Sequence, residues 1–149
     1  MQDHYEPVVH DATLGNLRRS GIGSVGVYEA ERQFSEGTMR ISLVMNAPEE
    51  FDAVAEEARG LVHELPALVE KCRRFSVEGL GQALAALLGR EADAMDDAAK
   101  AALFRPRALV VRPDRAQLVL ASGADGAPPG VMVRVAVEKG EPVGLDVEG

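Results

Sequence analysis

The stretch GIGSVGVYEAERQF, Gly21 to Phe34, decides between two folds. Its first six residues carry the glycine spacing of a dinucleotide-binding loop. That loop works only where a strand delivers the glycines and a helix N-terminus receives the pyrophosphate. The residues ahead of it, LGNLRRS (Leu14 to Ser20), make a poor strand. The residues after it alternate: Val25, Val27, Glu29, Glu31 and Gln33 fall on one side of an extended chain, and Gly26, Tyr28, Ala30, Arg32 and Phe34 on the other. This predicts a strand, with the glycines as the turn into it. The next segment, TMRISLVMN (Thr38 to Asn46), is β-prone through Met39, Ile41, Val44 and Met45, and SEG (Ser35 to Gly37) joins the two as a hairpin over 25–47.

Beyond Asn46 the apolar period changes from two to nearly four. Pro48 suits a first helical turn, and Glu49, Glu50 and Asp52 sit at the positive end of the helix dipole. Phe51, Val54, Ala55, Ala58, Leu61, Val62, Leu65, Leu68, Val69, Cys72 and Phe75 then form one continuous stripe. Lys71, Arg73 and Arg74 supply the charge preferred at a helix C-terminus, and Pro66 splits or kinks the helix. Ser76 is expected to cap a second helix with Val77, Leu80, Leu84, Leu87 and Leu88 on its buried side and Gly89 as its stop. Gly79 and Gly81 allow close packing near its start. READAMDDAAKAALFRP (Arg90 to Pro106) reads as an acidic loop and a short third helix, capped by Asp93 or Asp96 and ended by Pro106.

The last third is β-like. RALVV and RAQLVLA flank an RPD turn, GADGAPPG is a loop, and VMVRVAVEKGEPVGLDVE (Val131 to Glu148) is a strand, a turn at KGEP and a final strand. The first twenty residues lack a period and read as an irregular arm. The expected architecture is a single α+β domain over 1–149, with arm 1–20, hairpin 25–47, helices 48–104 and strands 107–148. A mainly antiparallel sheet of about six strands carries two or three helices on one face, in the order ββ-αα(α)-ββββ.

Several chemistries find no support. Cys72 is the only cysteine, which excludes an internal disulfide and a multi-cysteine zinc cluster; it is expected to be a buried, inert thiol. His4, His10 and His63 have no metal-pair spacing, and Ser24 lacks the nucleophile elbow because Ile22 stands where glycine is required. No catalytic residue, cofactor or metal is assigned, and the chain reads as a non-enzyme. No apolar run approaches the roughly 18 residues of a membrane helix, and MQDHYEPVVHD lacks a secretory start, so a cytoplasmic location is expected. The net charge of −8 disfavours nucleic acid and anionic membranes and favours a basic protein partner. Glu49, Glu50, Asp52, Glu56 and Glu57 read as a solvated helix face. Glu91, Asp93, Asp96 and Asp97, concentrated in READAMDD, are the candidate partner-binding residues.

DATLGNL (Asp11 to Leu17), the long alanine- and leucine-rich helix and the closing GVMVRVAVEKGEPVGLDVEG together form a pattern. It resembles a broad group of small bacterial α+β domains, several of which are immunity proteins encoded beside polymorphic toxins. The chain departs from the group in having APPG and no tryptophan ahead of the penultimate strand. The resemblance implies an immunity-type inhibitor that occludes a cognate toxin. An acidic secretion chaperone is the second reading, and an enzyme of unrecognised type the third.

Overall fold

The computed structural model describes residues 5–20, 25–34, 37–81, 96–122 and 132–148. Four strands come first: β1 (Val8–Asp11), β2 (Gly15–Arg19), β3 (Gly26–Phe34) and β4 (Gly37–Met45). A 3₁₀ turn (Pro48–Glu50), α1 (Phe51–His63), α2 (Leu65–Leu80) and α3 (Asp97–Ala102) follow. The chain closes with β5 (Phe104–Val111), β6 (Ala116–Ser122), β7 (Met132–Glu138) and β8 (Glu141–Glu148). One eight-stranded sheet holds the strands in sequence order.

This corrects the expected sheet of about six strands in the order ββ-αα(α)-ββββ. Four strands, not two, precede the helices, and the sheet is mixed because β4 and β5 run parallel. The additional pair comes from the supposed irregular arm. Its turn is built by a side chain rather than announced by periodicity: Asp11 Oδ1 accepts the N–H groups of Thr13 and Leu14, both at 2.9 Å. The turn buries Leu14, and β2 buries Leu17. Two arginines hold it from outside, as Arg59 Nε donates to Asp11 Oδ2 at 2.7 Å and Arg32 Nη1 donates to the Thr13 carbonyl.

The chain divides into two compact units, Met1–Leu65 with Ala108–Gln117, and Pro66–Arg107 with Leu118–Gly149. In the first, β3 and β4 pair antiparallel from Gly26↔Met45 to Phe34↔Gly37. Their Tyr28, Ala30, Met39, Ile41, Leu43 and Met45 are buried, as are Phe51, Val54, Ala55, Ala58, Leu61 and Val62 of α1. Tyr28 and Phe51 meet edge-on, with ring centroids 5.0 Å apart. Each such large apolar side chain contributes about 1.5–3 kcal/mol when taken from water. β5 joins β4 in parallel register, Ile41↔Leu109 and Leu43↔Val111.

In the second unit α2 buries Leu68, Val69, Cys72 and Val77. Pro66 lies in its first turn and marks the split from α1 at Glu64. The predicted boundary at Ser76 is corrected: Ser76 lies inside α2, and its hydroxyl donates to the Cys72 carbonyl at 2.7 Å. Lys71, Arg73 and Arg74 are therefore mid-helix residues. Leu84, Leu87, Leu88 and Gly89 lie outside the described residues. Pro106 does not end α3, which stops at Ala102; it sits buried within β5. Val133, Val135 and Val137 form the buried side of β7, which pairs with β8 through a turn at Lys139 and Gly140. Gly79 lets α2 approach β8, since a Cβ there would lie 2.8 Å from Leu145 Cδ2.

Gly26, the last glycine of the opening stretch, has a packing role. A Cβ at this position would lie 2.3 Å from Tyr5 Cε1. Tyr5 covers Gly26 while its ring lies 4.4 Å beneath the Arg19 guanidinium and 6.4 Å from the Tyr28 ring. Gly26→Ala is expected to expel Tyr5 and lower stability by about 1–2 kcal/mol, the scale of one aromatic pair together with one cation–π interaction. Urea unfolding followed by tyrosine fluorescence checks this, and Tyr5→Ala should add little further loss in the Gly26→Ala background.

Candidate functional site

The solvent face of α1 is strongly charged. Burying Phe51, Val54, Ala55, Ala58, Leu61 and Val62 leaves Asp52, Ala53, Glu56, Glu57, Arg59, Gly60, His63 and Glu64 exposed. Glu49 is exposed just ahead of the helix. Glu50 turns inward along the chain, where Oε1 accepts the Asn46 N–H at 2.8 Å. The arginine in this row is already engaged, because Arg59 is bonded to Asp11. Glu49, Asp52, Glu56, Glu57 and Glu64 therefore make an open acidic surface that also exposes Gly60, where a Cβ would meet nothing within 4 Å.

Of the acidic residues predicted from READAMDD, Asp96 and Asp97 are among the described residues. Glu91 and Asp93 lie outside them. Asp96 is exposed and caps α3, with Oδ1 accepting the Ala99 N–H at 2.8 Å. Asp97 is the first residue of α3. The capping role was legible in the sequence, as Asp93 or Asp96 was the expected cap.

The dinucleotide-loop reading fails on context. Gly21 to Ser24 lie outside the described residues, and Gly26 opens a strand where the pyrophosphate site needs a helix. His10 Nδ1 and Asn16 Oδ1 are 2.6 Å apart across the first hairpin, His63 ends α1 in solvent, and His4 is outside the described residues. Among the described residues no three His, Cys, Asp or Glu side chains are placed to hold a metal, and no helix is long and apolar enough to cross a membrane.

Arg73 is the buried charged residue that periodicity missed. It is buried on α2, where Nε donates to the Phe104 carbonyl at 2.7 Å and Nη1 donates to Glu70 Oε1 at 3.1 Å. It lines a cleft of about 460 Å³ with Glu70, Arg74, Val77, Glu78 and Ala101. The available signal was an arginine next to Cys72 of the apolar stripe, and the helix-terminus reading of Lys71, Arg73 and Arg74 absorbed it.

Two titrating groups have structural causes. Burial pushes the Asp11 carboxyl upward, but the Leu14 N–H, Arg59 and the Thr13 N–H outweigh it and hold the carboxyl below its ordinary 3.8. Asp11 is thus a fixed anion rather than a proton donor at neutral pH. Burial pushes the Cys72 thiol up to about 12, against a smaller downward pull from Lys71.

No protein-family model, curated protein or solved structure matches this chain.

Cys72 is expected to resist iodoacetamide in the native protein at mildly alkaline pH and to react fully in denaturant, as intact-mass measurement will show. Asp11→Ala is expected to cost about 1–2 kcal/mol at neutral pH. The wild-type advantage is complete above the unfolded value near 3.8 and is lost as pH falls through the lower folded value. Urea midpoints of the two proteins should therefore differ at neutral pH and draw together in acid.

Proposed function

We propose that this chain is a non-enzymatic protein-binding domain that offers an acidic surface to a basic protein partner. In its most concrete form it is an immunity-type inhibitor that occludes a cognate bacterial toxin in the cytoplasm. The observation that carries this reading is the exposed row Glu49, Asp52, Glu56, Glu57 and Glu64, beside an arginine already paired to Asp11. The reading adds this face of α1 to the acidic segment READAMDD as a surface for the partner.

The row sits on a helix held by its buried face, so binding does not require the surface to be ordered first. Its like charges repel one another mildly in the free protein, and a basic partner relieves that repulsion. The net charge of −8 extends the attraction and speeds encounter. Such steering weakens beyond about 10 Å at 0.1 M salt, so affinity at physiological salt rests on close contacts as well. Ala53 and Gly60, exposed within the row, allow a partner side chain to reach the helix backbone between the carboxylates. Occlusion follows if the partner's basic face surrounds its active site.

Co-expression tests the proposal. The product of the adjacent gene is expected to be toxic to a bacterial host alone and harmless beside this chain. The triple reversal Glu56→Lys, Glu57→Lys, Glu64→Lys is expected to abolish protection while leaving the circular dichroism spectrum unchanged. The association rate of the purified pair should fall by at least about tenfold between low salt and about 0.5 M salt. Toxicity without rescue overturns the inhibitor reading, and full protection by the triple variant overturns α1 as the docking face. Copurification with an unfolded, non-toxic client would instead establish a secretion chaperone.

A further inference from the structure

We draw no further inference here: the strongest candidate, the cleft between α2 and α3 in the second unit, carries nothing because its Arg73 and Arg74 are offset by Glu70 and Glu78, and nothing in the structure shows what covers its Val77 and Ala101 floor.

Discussion

The parallel pairing of β4 with β5 is the constraint on which the rest of the architecture depends. Ile41 and Leu43 lie opposite Leu109 and Val111, and all four are fully buried. Two parallel neighbours cannot be joined by a hairpin, because the chain must return to the end from which it started. The return here runs from Asn46 to Leu103 and contains every helix described. Strands β1 to β4 and the β7–β8 pair follow their neighbours antiparallel and need only turns. A helical crossover also has to bury one side against something apolar, which explains why α1 and α2 carry a stripe rather than scattered apolar residues.

Polar side chains complete what the apolar stripes begin. Asp11 makes a turn out of a segment with no hydrophobic period, and Arg59 ties that turn to α1. Arg73 answers a carbonyl at the start of β5, in a place where an unbonded acceptor would be costly to bury. Ser76 hides its hydroxyl against the Cys72 carbonyl one turn back, which is how a polar residue sits inside a buried helix face. By contrast, the Lys71–Glu141 pair is exposed on both sides at 2.7 Å, and pairs of that kind contribute little.

The candidate site was visible in the sequence as charge but not as a place. Of Glu49, Glu50, Asp52, Glu56 and Glu57, read as a solvated helix face opposite the apolar stripe, all are exposed except Glu50, which is half-buried and accepts the Asn46 N–H. READAMDD attracted the partner role through its density of carboxylates. Of those carboxylates, Asp96 accepts the Ala99 N–H in the first turn of α3, and Glu91 and Asp93 lie outside the described residues. The engagement of Arg59 was not legible at all. An arginine among glutamates reads as a local ion pair at helical spacing, and its actual partner is a residue of the first hairpin.

The sequence by itself determined what depends on near neighbours. The helical stripe from Phe51, the break at Pro66, the alternation through β3 and β7, the turn at Lys139 and Gly140, and the cap at Asp96 all follow from periodicity or local backbone chemistry. Only the tertiary structure decided that Val8–Asp11 and Gly15–Arg19 pair as strands, that β4 and β5 run parallel, and that Gly26 is small to admit Tyr5. Periodicity records which side of a segment meets water, but it does not name the partner on the dry side. Each of those decisions involves groups far apart in the chain: Arg59 bonds Asp11 from 48 residues away, Ile41 pairs with Leu109, and Tyr5 and Gly26 meet only once the fold exists.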